Sequence, residues 1–187
     1  MGSSEIRIAG FGGQGVILAG MVIGKAAAIH DGKSVTLTQS FGPEARGSAC
    51  SVQLIVSTEA ILYPYLSHPD ILVVMSQEAA ARFCPELKPG GTLIYEQDLI
   101  QLGTLPPGVK KYGISATRLA EELGRKLVLN MVMVGFVTAV TGLATPEAAR
   151  KAVADSVPRG TETLNLAAFE KGFAYGQSQA AALRQVA

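Results

Sequence analysis

The sequence is poor in the residues that most often carry chemistry. Its 187 residues include two cysteines, two histidines and no tryptophan, and aromatic side chains make up only 6%. Cys50 and Cys84 are too few for an iron–sulfur cluster, which usually needs four thiolates, and their spacing is not that of a zinc site. Two such thiols are typical of buried cysteines in a reducing compartment. We therefore expect neither metal ligands nor catalytic residues in this chain.

Net charge and long apolar runs are also lacking. A formal net charge of +1 at pH 7 gives no general attraction to nucleic acid or to acidic membranes. No apolar run reaches the roughly 20 residues that cross a bilayer. The N-terminus leads directly into a predicted strand, not into a signal peptide. These features predict a cytoplasmic protein that binds no nucleic acid and has no membrane span.

What the sequence does contain predicts one α/β domain over residues 1–187. Hydrophobic residues make up 48%, which is ample for a core. Short apolar strands alternate with helices up to residue 124, and the remainder is helical. This order predicts a three-layer, open and mostly parallel (mixed) sheet with helices on both faces. The strand 49–57 follows the strand 34–39 after a loop too short for a parallel crossover, so one antiparallel pair is expected.

A glycine-rich turn is the most informative segment. Residues 10–15 read Gly-Phe-Gly-Gly-Gln-Gly and separate a predicted strand (5–9) from a predicted helix (16–29). Unpaired N–H groups and the positive end of the dipole favour anions at such a helix start. We therefore predict that Gly12, Gly13, Gln14 and Gly15 hold phosphate or carboxylate through backbone donors. The alternative is that the glycines only permit close packing of helix on sheet.

The same pattern occurs in dinucleotide-binding folds, where an acidic residue at the end of the second strand binds the ribose. Here that strand ends in Gln39 and Ser40, and Asp31 precedes it. The missing acid disfavours ordinary NAD binding, although an NAD dehydrogenase stays open as an alternative.

A second polar segment, residues 40–48, follows the second predicted strand. Ligands of open α/β sheets bind beyond the carboxyl ends of strands, so we expect this loop and the glycine turn to face one crevice. Arg46 can pair with phosphate through its planar guanidinium, Ser40 can donate a hydrogen bond from its hydroxyl group, and Gly47 would shape the crevice. The alternative for Arg46 is an exposed loop residue paired with Glu44.

Together the two segments resemble the gamma subunit of 2-oxoacid:ferredoxin oxidoreductases, which include pyruvate-, 2-oxoglutarate-, branched-chain- and indolepyruvate-type enzymes. The resemblance is carried by Gly-Phe-Gly-Gly-Gln-Gly at 10–15 and Ser-Phe-Gly-Pro-Glu-Ala-Arg-Gly at 40–47. It covers nearly the whole chain, including Asn130-Met131 and the segment 163–165. Ser48 stands where the family often has a second glycine, and Phe41 where it often has tyrosine.

The resemblance implies a subunit of a hetero-oligomeric enzyme. Such enzymes convert a 2-oxoacid and coenzyme A to acyl-coenzyme A and carbon dioxide while reducing ferredoxin. Thiamine diphosphate and iron–sulfur clusters would reside mainly on the alpha, beta and, where present, delta subunits, so this chain alone would hold no cofactor. Arg46 and the glycine turn would then contribute to the coenzyme A side of the site. A free-standing nucleotide-binding module without a catalytic role is the alternative function.

Overall fold

The computed structural model describes residues 2–42 and 49–186, which form a six-stranded sheet with helices on both faces. The strand order is β2-β3-β1-β4-β5-β6. The strands are β1 (Ser4–Phe11), β2 (Ser34–Phe41), β3 (Ala49–Ser57), β4 (Ile71–Val74), β5 (Thr92–Glu96) and β6 (Lys110–Ile114). The helices are α1 (Val16–Lys25, continued by a π-helical turn, Ala26–His30), α2 (Gln77–Phe83), α3 (Ala116–Glu121), α4 (Leu129–Thr141), α5 (Pro146–Ala154) and α6 (Glu162–Val186).

The sheet is mixed because β3 runs against both of its neighbours. β1, β4, β5 and β6 pair in parallel, whereas β3 is antiparallel to β1 on one side and to β2 on the other. This confirms the predicted α/β fold and the antiparallel pairing of β2 with β3. The second antiparallel pairing was not predicted, because the sequence gives no sign that β3 inserts between β1 and β2.

Two hydrophobic clusters hold the layers together. The larger cluster lies on the sheet face covered by α1, α3, α4, α5 and α6, and the smaller one lies under α2, over β1, β4 and β5. Alternation along β3 sends Val52 and Leu54 toward α1, where Gly20 and Gly24 allow the helix to approach closely. Ser51 and Gln53 therefore lie on the opposite face of the sheet.

Local capping residues mark the start of α5 and the end of α4. Thr145 caps α5 by accepting a hydrogen bond from the Ala148 N–H at 3.2 Å, and Gly142 ends α4 in the left-handed region with φ 63°. α4 begins at Leu129 with Val128 as N-cap, so Asn130 lies within the helix. A 3₁₀ turn leads directly into α4, so no side-chain cap precedes it.

Among residues 2–42 and 49–186, no helix combines the length and apolar character that crossing a membrane requires.

Candidate functional site

The glycine turn has the geometry of an anion-accepting helix start. Gly13 (φ 102°) and Gly15 (φ 72°) adopt left-handed backbone conformations that other residues rarely take, and they turn the chain from β1 into α1. The first helical hydrogen bond runs from the Ala19 N–H to the Gly15 carbonyl at 2.9 Å. The N–H groups ahead of Ala19 therefore lack helical acceptors, and they lie at the positive end of the helix dipole.

Gln14 fastens this turn to the sheet. Its Oε1 accepts a hydrogen bond from the Phe11 N–H at 2.8 Å, and its Nε2 donates to the Met75 carbonyl at 2.8 Å. The Gln14 N–H donates to the Phe11 carbonyl at 3.1 Å. Both the side chain and the backbone donor of Gln14 are therefore used within the fold, and its role as a ligand donor stays a prediction.

The other three turn residues are better placed as donors. Within the described part of the chain, the N–H groups of Gly12, Gly13 and Gly15 have no hydrogen-bond acceptor. Asn130 packs behind Gly15 so closely that a Cβ there would lie 2.4 Å from the Asn130 side-chain nitrogen. Gly15 thus also permits close packing of the chain against Asn130. This packing does not conflict with the predicted use of the turn as an anion site.

The second predicted segment is only partly described. Arg46 and Gly47 lie outside the described residues, so their roles stay predictions. Ser40 is exposed near the carboxyl end of β2 and faces Ser51 of β3 in the strand register, and Ser51 faces Ala9 of β1. Since neighbouring strands lie about 4.8 Å apart, Ser40 sits about 10 Å from β1 along the same edge of the sheet.

A cavity of about 620 Å³ opens beside Ser40, on the sheet face opposite α1. Its lining includes Ser40, Ser51 and Gln53 of the strands and Arg82 of α2, but no residue of the glycine turn. The structure therefore places the glycine turn and Ser40 at one edge of the sheet, while this cavity is lined by the described residues of the second segment (40–42) and not by the turn.

Arg7 forms part of the cavity wall and was missed by the sequence reasoning. It is only 5% exposed, its Nη1 donates to Glu86, and its guanidinium lies 4.7 Å from the centre of the Phe83 ring. Its Nε is buried without a hydrogen-bond partner among the described residues. In sequence, Arg7 alternates with Ile6 and Ile8 as an ordinary solvent-facing strand residue would. Only the placement of α2 over this face buries it.

A third polar group lies farther along the carboxyl edge, after β5 and β6. Burial raises the pKa of Glu96, although its carboxylate accepts hydrogen bonds from the Thr117 N–H at 2.8 Å and from the Thr117 hydroxyl. A hydrogen bond from Arg118 lowers the pKa of the neighbouring Asp98. These contacts connect the start of α3 to the end of β5, so we assign them a structural role.

The arrangement suits binding better than covalent or redox chemistry. Its unpaired N–H groups can donate hydrogen bonds to phosphate or carboxylate oxygens. Residues 2–42 and 49–186 contain no group of three or more His, Cys, Asp or Glu placed to hold a metal ion. NAD binding is further disfavoured because β3 separates β2 from β1, so the end of β2 is not adjacent to the turn as in the dinucleotide fold.

Comparison with known proteins identifies the family. The model of the family described as pyruvate ferredoxin/flavodoxin oxidoreductase matches residues 5–175. The 2-oxoglutarate synthase subunit KorC of Methanothermobacter marburgensis is 49% identical over 174 residues, covering 90% of this chain and 94% of that one.

Solved structures agree with this assignment. The keto/oxoacid ferredoxin oxidoreductase gamma subunit of Geobacter sulfurreducens PCA has a TM-score of 0.81 at 38% identity, covering 94% of this chain and 99% of that one. The 2-oxoglutarate:ferredoxin oxidoreductase of Magnetococcus marinus, solved with 2-oxoglutarate, coenzyme A and succinyl-CoA bound, has a TM-score of 0.86 at 26% identity, with 95% of this chain matching 32% of that one. The chain belongs to the pyruvate ferredoxin/flavodoxin oxidoreductase family.

Proposed function

We propose that this protein is a subunit of a 2-oxoglutarate:ferredoxin oxidoreductase and supplies part of its coenzyme A site. As the gamma subunit of a multi-subunit 2-oxoacid:ferredoxin oxidoreductase, it takes part in oxidative decarboxylation without containing a complete active site. The choice of 2-oxoglutarate rests on the KorC relative at 49% identity. The observation that carries the coenzyme A proposal is the set of N–H groups at Gly12, Gly13 and Gly15 that lack acceptors within the described residues.

Coenzyme A fits these donors because it carries a diphosphate and a further phosphate. The backbone of the glycine turn would receive one phosphate at the positive end of α1. Arg46 would neutralise a second charge through its guanidinium. Ser40, at the same edge of the sheet as the turn, and Gly47 would contact the ligand between these two points.

The redox cofactors belong to partner subunits in this proposal. The sequence has two cysteines, so the chain cannot supply the four thiolates of an iron–sulfur cluster. Thiamine diphosphate and the clusters would be held by alpha, beta and, where present, delta subunits, and ferredoxin would dock on the assembled enzyme. Cys50 and Cys84 are both free, which suits a cytoplasmic location.

Purification of the native assembly tests the subunit role and the substrate. The chain, tagged and expressed in its own host, is expected to bring down larger subunits containing thiamine diphosphate and iron–sulfur clusters. The recovered enzyme should reduce ferredoxin with 2-oxoglutarate in preference to pyruvate or 2-oxoisovalerate. A lone chain that binds NAD or an adenine nucleotide would instead support the free-standing module, and a preference for pyruvate would remove the substrate assignment.

Substitution of Arg46 tests the coenzyme A site. In the reconstituted enzyme, Arg46→Ala is expected to raise the apparent KM for coenzyme A roughly tenfold, the effect of losing one charge-assisted hydrogen bond of about 1.5 kcal/mol. The KM for the oxoacid should stay unchanged. Arg159→Ala, at an exposed arginine in the turn before α6, is the matched control. An unchanged KM for coenzyme A in the Arg46 variant would exclude Arg46 from the site.

A further inference from the structure

The two edge strands of the sheet differ in how far they are protected from pairing with another chain. The β6 edge is short, begins with the exposed residues Lys110 and Lys111, and is covered where Gln179 of α6 donates a hydrogen bond to the Gly113 carbonyl at 2.7 Å. Lysines and a covering helix are common means of preventing a strand edge from pairing with another chain. One edge of this sheet is therefore protected against association.

The opposite edge, β2, has none of these features. It is eight residues long, reads Ser-Val-Thr-Leu-Thr-Gln-Ser-Phe, and contains neither a charge nor a proline. No strand of the described residues pairs with its outer side. A long, regular and uncharged edge offers its free N–H and C=O groups to another strand. In an otherwise well-packed protein, such an edge indicates a contact surface.

An apolar stripe on α1 runs alongside this open edge. Ile17, Met21 and Gly24 recur at i, i+4 and i+7, so they share one side of the helix. A Cβ at Gly24 would lie 3.1 Å from Leu54 of β3, and 3.6 Å from Val35 and 3.7 Å from Leu37 of β2, so this side of the helix reaches from β3 to β2. Met21 is 50% exposed, and Lys25 is the one charged residue among the ten of α1. A helix that is apolar on its outer side as well is typical of a buried helix.

We propose that β2 pairs antiparallel with β2 of a second copy of this chain across a two-fold axis. The two sheets would then continue as one, and the two Ile17–Met21 stripes would lie on the same face, on either side of the axis. A two-fold interface must be self-complementary. β2 meets this requirement because it is uncharged, and because Thr36 and Thr38 would face threonines of the other copy on the sheet face opposite α1.

The proposal is tested by the association state of the purified chain. Light scattering after size exclusion, or sedimentation equilibrium, is expected to show a dimer. Thr38→Lys would bring like charges together at the paired strands, and Met21→Lys would place a charge in the apolar stripe, so each should weaken dimerisation roughly tenfold or more. Circular dichroism and thermal melting establish that each variant is folded, and either variant alone suffices for the test.

Leu62→Lys is the matched control. Leu62 is 96% exposed but lies in the loop after β3, outside both β2 and α1. The dimer should persist in this variant, and its dissociation there would assign the interface to the loop and overturn the proposal.

Hydrogen exchange locates the contact directly. In the dimer the β2 amides should be protected along the strand, and in Thr38→Lys those on the outer side should exchange faster, while β6 stays unchanged. A wild-type chain that is monomeric at all concentrations overturns the proposal, as does β2 protection that arises only on assembly with other subunits. None of these measurements depends on the function proposed above, since they use the isolated chain.

Discussion

At the scale of single residues, Gln14 shows how one side chain can fix the conformation of a backbone turn. The amide joins the end of β1 to the residue after β4, the two neighbouring parallel strands at the centre of the sheet. This is the position in an open α/β sheet where the strand order reverses and ligands usually bind. Gln14 therefore holds the turn in a fixed conformation at this position, and its contribution should be measurable as stability.

Gln14→Leu keeps the size of the side chain but removes both hydrogen bonds. The Phe11 N–H and the Met75 carbonyl would lose their partner, and each unsatisfied group costs about 1–3 kcal/mol. We expect the free energy of unfolding in urea to fall by roughly 2–6 kcal/mol on that basis. Gln177→Leu, at an exposed position of α6, should change it by no more than about 0.5 kcal/mol. Equal effects of the two substitutions would contradict the role assigned to Gln14.

Glu96 gives a residue-scale prediction about pH. Burial raises the pKa of this carboxyl, which is only 1% exposed, so the folded protein favours its protonated form more than the unfolded chain does. Its contribution to stability is then complete below the unfolded pKa of about 4.3 and is lost as the pH rises through the higher folded pKa. Glu96→Gln should remove this dependence.

The measurement compares free energies of unfolding over a pH series that starts below the unfolded pKa. The difference between wild type and Glu96→Gln should shift in favour of the variant as the pH rises through that window. Glu59→Gln, at an exposed carboxyl, serves as the control and should follow the wild type. A difference that is constant with pH would show that the buried carboxyl titrates as in the unfolded chain.

At the scale of elements, the closest contact is the crossing of α4 and α6. A Cβ at Gly172 would lie 1.8 Å from the Val132 carbonyl oxygen, and one at Gly135 would lie 2.0 Å from the Phe169 carbonyl oxygen. The helices thus approach through glycines on both sides, backbone against backbone. Because neither backbone can move aside as a flexible side chain would, the crossing tolerates no added atom.

Gly172→Ala should therefore destabilise the protein, although alanine is normally the better helix former. Overpacking of a core usually costs about 1–3 kcal/mol, and a clash with backbone should reach or exceed the upper value. Thermal and urea unfolding measure the loss, and failure to fold would be the extreme of the same effect. Ala174→Ser also adds one atom to α6, at an exposed position, and should be almost neutral. A Gly172→Ala protein as stable as wild type would mean that the helices are farther apart.

These elements also show what can be predicted from sequence. Strand, turn and helix around residues 10–15 were predicted correctly because glycine and helix-start chemistry act locally. Long-range placement was not predictable. The insertion of β3 between β1 and β2 depends on pairing partners distant in sequence, and Arg7 is buried only because α2 covers it. The glycines of the α4–α6 crossing have no local pattern that distinguishes them from glycines that merely interrupt a helix.

At the scale of the whole molecule, different edges of the sheet carry different candidate contact surfaces. The carboxyl edge carries the glycine turn and Ser40, and the lateral edge β2 is the surface proposed to meet a second copy. The amino edge carries the loop after β3, in which Leu62, Tyr63 and Tyr65 are exposed and the two tyrosine rings stack edge to face at 5.6 Å. The loop after β3 lies at the opposite end of the strands from the glycine turn, so these two surfaces do not overlap, whereas Ser40 belongs to β2 and lies where the carboxyl and lateral edges meet.

This separation predicts where coenzyme A changes hydrogen exchange in the assembled enzyme. Saturating coenzyme A should slow exchange at residues 12–15, because the N–H groups of the turn gain phosphate acceptors, and should leave residues 58–69 at the amino edge unchanged. At about 100 times the Kd, the added protection can reach ~2.7 kcal/mol. Pantetheine, which lacks the phosphates, should protect neither segment. Protection of residues 58–69 without any effect on the turn would place the ligand at the opposite edge of the sheet. Equal protection by pantetheine would show that the turn does not recognise phosphate.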